Sequence, residues 1–308
     1  MARRRKSGRD ITGMMIVDKP SGVSSNRVLQ VVKRLFNANK AGHTGTLDPL
    51  ASGVLPICLG EATKLSTYLL DADKSYQVTC KLGIATDSGD SDGEVIDHKS
   101  IPDFDTESLQ ILLQQFTGEQ EQIPPMFSAL KHQGQPLYKL ARQGIEIERK
   151  SRVITIYNIT LLAITEDSFT LEVSCSKGTY IRTLVQDIAA AMGSCGHVVM
   201  LRRVKAAGYD LAQALPLNEL EALADTEQTN IDEQLLSAFD ALPTWPSITL
   251  DTEQTRQLYF GQPVQHDEPQ VSADIRLLDD NHQFIGLAHI GEDGVITAKR
   301  LFVRQEVQ

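Results

Sequence analysis

The chain has 308 residues, 41% of them hydrophobic and 23% charged, with a formal net charge of −10, a balance that excludes disordered and fibrous classes. No apolar run approaches the roughly 20 residues needed to span a bilayer, and the basic start MARRRKSGRD is not followed by a signal-peptide core, so a cytoplasmic protein is expected. Cys58, Cys80, Cys175 and Cys195 form no CxxC pair and the histidines are scattered, which gives no zinc-ligand pattern and no indication of a metal.

Taken in chain order, ITGMMIV (residues 11–17) reads as a strand and DKPSG as a turn. A helix is predicted from Ser24 or Ser25 to about Phe36, with Val28, Leu29, Val31, Val32 and Leu35 on its buried side. The segment 42–53, GHTGTLDPLASG, then places a single acid, Asp48, among three glycines and a proline. Glycines let the backbone turn through positive φ and approach a ligand closely. An Asp held by such a loop suits a nucleophile or general base. Asp-Pro-Leu is equally the N-cap, N1 and first turn of a short helix, and the two roles are compatible.

An apolar run VLPICL follows, then a predicted helix over 61–70 and an alternating strand over 75–85. The acidic loop 86–93, TDSGDSDG, has its glycine and terminal acid in the wrong places for a calcium loop. A helix is predicted over 107–116, a break at IPPM, strands over 153–164 and 169–176, a helix over 179–192 and a strand over 197–204. Residues 214–242 read as helical and acidic. After Pro243 and Pro246 a short helix and the runs IRLLD, FIGLAHI and VITAKRLF suggest a small β-rich unit. Helices and strands mix without a regular βαβ repeat, so an α+β fold around a mostly antiparallel sheet is expected.

Charge is uneven along the chain. Residues 1–40 hold ten Lys/Arg against two acids and residues 121–210 eleven against eight, whereas residues 211–308 hold five against seventeen. Within 131–152 there are six Lys/Arg against two Glu. A basic arm and a basic middle within an acidic chain fit a local phosphate-binding track, and also a solvated tail with ordinary surface charge.

Four segments, GHTGTLDPLASGVLPICLGEATK (42–64), DKSYQVTCKLG (73–83), SKGTYIRTL (176–184) and GHVVMLRRV (196–204), together with VDKPSG (17–22), resemble the signature segments of the TruB family of tRNA pseudouridine synthases. The similarity runs in order over about residues 11–210 and includes IPPMFSALKHQGQPLYKLARQG. It implies a pseudouridine-synthase catalytic domain over 1–247 with a thumb-like insert at about 124–152, and a PUA-like RNA-binding domain over 248–308. It further implies isomerisation of uridine 55 in the tRNA T-loop by base flipping, without metal or organic cofactor. The partner implied is the T-arm stem-loop, met by a monomer that needs no other protein and no membrane.

By the same resemblance Asp48 is the nucleophile, attacking C6 of the base or C1′ of the ribose, and Arg182 is its cationic partner. Tyr76 stacks on the target base, Tyr180 and Leu201 pack around the uracil, and His43 helps hold the rearranged RNA loop. Asp90 belongs to the network around the arginine, with Asp87 and Asp92 close by in sequence. Lys19 and Pro20 match a motif that buttresses the catalytic loop, and the lysine could equally meet phosphate. The basic tail 3–9 is a candidate non-specific RNA contact. The alternatives are a synthase acting on another RNA and a non-catalytic RNA-binding or tRNA-folding module.

Overall fold

The computed structural model describes residues 8–225, 228–266 and 272–302. Strand β1 (Gly13–Lys19) is apolar on both faces: Met14 and Ile16 enter one core, Met15 and Val17 another. Helix α1 (Ser25–Leu35) is capped by the Ser24 side chain, which accepts from the Arg27 N–H, and it packs Val28, Leu29 and Val32 against β1. The glycine-rich loop lies between β2 (Ala41–His43) and β3 (Ser52–Leu59). The predicted helix at 61–70 is a 3-10 turn (Gly60–Leu65) continued by α2 (Ser66–Leu70).

Strand β4 (Lys74–Leu82) leads to the hairpin β5 (Ile84–Thr86) and β6 (Val95–His98), whose connection is the acidic loop. Helix α3 (Thr106–Gln114) precedes β7 (Gly118–Gln122), a strand unpredicted because GEQEQ contains no β-branched or aromatic residue. The basic insert folds as a small hairpin, β8 (Lys131–His132) and β9 (Gln135–Pro136), with helix α4 (Leu137–Ala141). The long hairpin β10 (Arg152–Ile164) and β11 (Ser168–Cys175), helix α5 (Ile181–Ala191), β12 (Gly196–Ala206) and β13 (Tyr209–Asp210) follow.

With β14 (Leu215–Pro216) these strands form a ten-stranded sheet in the order β14-β1-β3-β12-β4-β11-β10-β7, with β2 on β3 and β13 on β12. Only β1–β14 and β3–β12 are parallel. Helices α3 and α5 cover one face of the β4–β11–β10 region, burying Leu109, Leu113, Leu184, Val185 and Ile188 against Val78, Leu171 and Val173. The opposite face is polar, with cross-strand hydroxyl pairs Thr79–Thr170 and Ser75–Ser174.

The expectation of a helical segment over 214–242 needs correction. Helices α6 (Leu217–Ala224) and α7 (Gln228–Asp232) are short. Of the other described residues, Leu215 and Pro216 pair with β1, and Leu236 and Met14 exchange backbone hydrogen bonds at 2.9 Å. Leu215 and Pro216 are taken by the pairing with β1, so α6 starts only after them, and the apolar Leu235 and Leu236 have a better burial site beside β1 than on an exposed helix. Of the basic tail, residues 3–7 lie outside the described residues, while Arg9 pairs with Asp232.

The C-terminal β-rich domain contains β15 (Ser247–Thr249), α8 (Thr252–Tyr259), β16 (Val264–Gln265), β17 (Ala273–Leu278), β18 (Phe284–Ile290) and β19 (Val295–Leu301), with sheet order β15-β17-β18-β19-β16. It has its own core around Leu258, Ile275, Leu277 and Ile296. It also lends Leu287 and Phe302 to the core beneath β1, beside Met14 and Tyr209.

Where β3 passes between β1 and β12, Gly53 pairs with Lys19 on one side and Arg203 on the other. Its φ is +104°, and a Cβ there would lie 2.2 Å from the Arg203 carbonyl oxygen. The Gly53→Ala substitution must therefore push two central strands apart. A loss of about 3 kcal/mol or more is expected, read as a lower midpoint in thermal or urea unfolding; an unchanged midpoint contradicts this packing.

Candidate active site

Strand register builds the floor of a cleft. Along β4, Lys74, Tyr76 and Val78 alternate toward the buried face. On β12, Arg203 sits opposite Tyr76 and Leu201 opposite Val78. A β-bulge between Val198 and Met200 shifts β12 by one residue, and that shift turns Leu201 and Arg203 to the same face as Val198. The cleft encloses about 350 Å³, and its walls include Asp48, Tyr76, Tyr180, Arg182, Leu201 and Arg203. The root of the insert, residues 128–130, closes one side.

No helix follows Asp48, which rules out the cap role that Asp-Pro-Leu allowed. The loop makes one turn, with the Ala51 N–H donating to the Asp48 carbonyl, and enters β3. Ser25 pins the loop, its hydroxyl donating to the Leu47 carbonyl at 2.9 Å and accepting from the Leu47 N–H at 2.8 Å. Lys19, wholly buried, donates to the carbonyls of Pro20, Val23 and Pro49. The Asp48 side chain is thereby aimed into the cleft, where 34% of it remains exposed.

Arg182, at the start of α5, is 4% exposed and meets Asp48 through Nε at 2.9 Å. Its Nη1 faces Asp90 at 3.5 Å and donates to the Ser88 carbonyl; Nη2 donates to the Phe127 carbonyl at 2.7 Å. Of the three acids in the 86–93 loop, Asp90 is the one that faces the guanidinium; Asp87 accepts the Glu94 N–H instead. Ser88 and the Asp92 N–H donate to the other oxygen of Asp90 and fix its plane.

Burial pushes the Asp48 carboxyl above its ordinary range. The Arg182 guanidinium and, more weakly, Lys19 oppose that push, while Asp90 reinforces it. Burial likewise raises the Tyr76 phenol, with Arg203 opposing, so the ring is neutral and apolar in character. Lys74, which donates to the Leu70 and Ala72 carbonyls, is lowered to about 8 by burial and by Arg203.

Asp48, Tyr76, Tyr180, Arg182 and Leu201 all line the cleft. Lys19 and Asp90 stand behind it, touching the Asp48 loop and Arg182. His43 is not in the cleft wall: it lies on β2 opposite Ile57, its Nδ1 is buried without a partner, and burial lowers its pKa. Lys74, Arg152, Arg203 and Gln122 were not singled out from the sequence. Lys74 had a signal, being two residues before Tyr76 on an alternating strand. Gln122 had none, although its side chain accepts the Tyr180 N–H at 2.7 Å and donates to the Tyr180 carbonyl at 3.1 Å. Among the described residues no His, Cys, Asp and Glu side chains gather as a metal site requires.

Lys19 gives a test of how the loop is held. Burial lowers its pKa from 10.5 to about 8. Between those values the unfolded chain holds a proton that the folded chain has released, so this side chain makes stability rise with pH there. Lys19→Met removes that rise and leaves buried carbonyls unpaired, at about 1–3 kcal/mol for each that water cannot reach. Urea unfolding of both proteins between pH 7.5 and 10.5 should show the wild type gaining stability relative to the variant as pH rises. A pH-independent difference contradicts the buried cation.

Residues 33–181 match the TruB family pseudouridylate synthase N-terminal domain, residues 182–242 the tRNA pseudouridylate synthase B C-terminal domain, and residues 246–302 the C-terminal domain of pseudouridine synthase II TruB. Proteins named tRNA pseudouridine synthase B are similar over nearly the whole chain. The Nitrosococcus oceani protein is 49% identical over 302 residues, covering 98% of each chain, and that of Pasteurella multocida 48% over 306 residues, covering 99% of each. Among solved structures, a Cbf5-Nop10-Gar1 complex contains a chain with the same fold at TM-score 0.74 and 23% identity, covering 96% of this chain and 86% of that one. A chain of an H/ACA RNP bound to a substrate RNA containing 2′-deoxyuridine gives 0.73 at 20%, with 99% and 92% covered. The resemblance of the separated sequence segments is thus borne out over the full length, and the chain belongs to the TruB family of pseudouridine synthases.

Proposed function

We propose that the chain converts uridine 55 in the T-loop of tRNA to pseudouridine, acting as a monomer in the cytoplasm, without cofactor, protein partner or guide. The observation that carries this reading is the Asp48–Arg182 pair, joined at 2.9 Å on the wall of a cleft of about 350 Å³. The curated relatives named for tRNA support the choice of RNA, and the basic insert beside the cleft supports a stem-loop substrate.

The uridine leaves the RNA stack, at a cost of a few kcal/mol, and enters the cleft between Tyr76, Tyr180 and Leu201. Aromatic and apolar walls suit an extruded base. Asp48, ionised beside Arg182, attacks C6 of the base or C1′ of the ribose. The N1–C1′ bond breaks, the uracil turns within the walls, C5 bonds to C1′, the bond to the Asp48 carboxylate is broken again, and the proton lost from C5 is balanced by one gained at N1. Nothing is gained or lost overall, so the cleft must retain a free uracil or a base adduct through the turn. Burial of the carboxylate by the arriving base strengthens its interaction with Arg182. His43, Asp90 and Lys19 act by holding RNA, guanidinium and loop respectively.

Asp48→Asn keeps the shape of the side chain and removes its charge. It is expected to abolish pseudouridine formation and to bind T-arm RNA within about threefold of wild type, because the phosphate contacts that dominate affinity are untouched. Carbodiimide labelling with primer extension on unmodified tRNA reads both the product and its position; robust activity of the variant, or product elsewhere than uridine 55, refutes the assignment. Since burial raises the Asp48 pKa, protonation removes the nucleophile at a pH above that of an ordinary carboxylate. The acid limb of kcat/KM should therefore fall above the usual aspartate range in single-turnover profiles, and a limb within that range contradicts the burial argument.

A further inference from the structure

Three arginines line the cleft, and two of them hold protein acceptors. Arg182 serves Asp48, Asp90 and two carbonyls. Arg203, also buried, donates from Nε to the Val54 carbonyl at 2.7 Å and from Nη2 to the Gly45 carbonyl at 3.2 Å. Arg152 differs: its Nε and Nη2 are buried and have no hydrogen-bond partner, and among the described residues no carboxylate pairs with it. A guanidinium is always charged and presents its donors in a fixed plane; with Nε and Nη2 enclosed, Nη1 is the donor left to meet an acceptor in the cleft.

The surroundings hold that plane in place. The guanidinium lies 4.7 Å over the centre of the Tyr180 ring. On the Gly178 side, a Cβ on that residue would stand at ordinary contact distance from the group, 3.4 Å from Nη1 and 3.5 Å from Cζ, so the Gly178 segment packs beside it. Tyr180 is itself clamped by the Gln122 amide through both its N–H and its carbonyl. The N-terminus of the eleven-residue helix α5 begins at the same point, with no side-chain cap and no acid in its first turn. An uncapped helix N-terminus carries partial positive charge. Ser128 adds a further buried hydroxyl without a partner to the cleft lining. Two independent sources of positive charge and three unpartnered polar atoms thus converge on a wall whose one carboxylate, Asp48, is already paired with Arg182.

We infer that Arg152 is the phosphate receptor of this cleft, taking a phosphodiester next to the uridine that enters beside Asp48. This rests on the proposed RNA substrate and gives it one named contact: the stacked guanidinium donates to a phosphate oxygen from Nη1, with the start of α5 adding its positive end. Such a contact positions the strand and carries no sequence information. It fixes the distance from backbone to base, so that only a base swung out of its stack reaches Asp48.

The test uses the full chain carrying Asp48→Asn, so that bound RNA is not consumed, and a T-arm hairpin as probe. Binding is measured against salt concentration with Arg152 intact, with Arg152→Met and with Arg152→Lys. Arg152→Met should weaken binding about tenfold and reduce the slope of log affinity against log salt by about 0.7–0.9, one phosphate's worth. Arg152→Lys should keep the slope while losing part of the affinity, because charge remains and the flat fork does not. A methylphosphonate in place of one phosphate flanking the target uridine should weaken binding to the parent and leave Arg152→Met unaffected. With Asp48 restored, Arg152→Met should raise KM with kcat retained. If Arg152→Met keeps the parent's salt slope and every methylphosphonate costs both proteins equally, Arg152 is only a packing partner of Tyr180 and the inference fails. Failure of the wild type to form pseudouridine would sink the functional reading instead, while the salt slopes would still decide the role of Arg152.

Discussion

The guanidinium of Arg182 joins the Asp48 loop, the acidic loop through Ser88 and Asp90, and the root of the basic insert through Phe127. These segments are far apart in sequence and share no strand pairing, so one buried side chain does much of the work of assembling the cleft. Its planar donors suit this task, since each nitrogen points in a different direction. Two carboxylates facing one cation are mutually repulsive without it. Removing a partner from such a buried cluster typically costs about 3–5 kcal/mol, far more than an exposed ion pair such as Arg256–Glu253 contributes. The basic insert and the Asp48 carboxylate therefore depend on the same group.

Behind that cluster the sheet supplies stiffness. Lys19 and Arg203 are almost fully buried charges on strands flanking Gly53, and both spend donors on backbone carbonyls of the surrounding loops and, for Arg203, of β3. Backbone carbonyls that strands and turns leave unpaired must find a donor when buried. Here lysine and arginine provide it and fix the loop geometry in the process. The apolar strands β1 and β3, covered on both faces, let these charges sit far from water without loosening the sheet.

Much of this was legible in the sequence, for identifiable reasons. Alternation in β4 and apolar periodicity in α1 and α5 are local signals, and they placed Tyr76 and Arg182 on the right elements. The separated family segments placed Asp48, where spacing alone left a helix cap open. Strand β7 was illegible because its stability comes from pairing with β10 rather than from its own side chains. Residues 214–242 looked helical because their composition is helix-prone, yet the unpaired edge of β1 offered backbone bonds that helix propensity does not register. Gln122 and Arg152 were missed for a common reason: each matters through a residue distant in sequence, Tyr180, and nothing local marks it.

The bulges of β12 were equally invisible, since VVML is apolar throughout and offers no alternation to interrupt. One bulge turns Leu201 and Arg203 toward the cleft, and a second, between Arg203 and Lys205, restores the original phase so that Ala206 is buried again. Each bulge changes the phase by one residue, and side chains on a strand have a period of two. The descendants of this chain consequently face an arithmetic restriction. A single-residue insertion or deletion between Met200 and Arg203 sends a charged arginine to the wrong side of a central strand, whereas the exposed hairpin at 131–136 can lengthen or shorten freely. Variation in length should accumulate at the insert and be purged from β12, so that the segment with the least regular geometry has the most constant length.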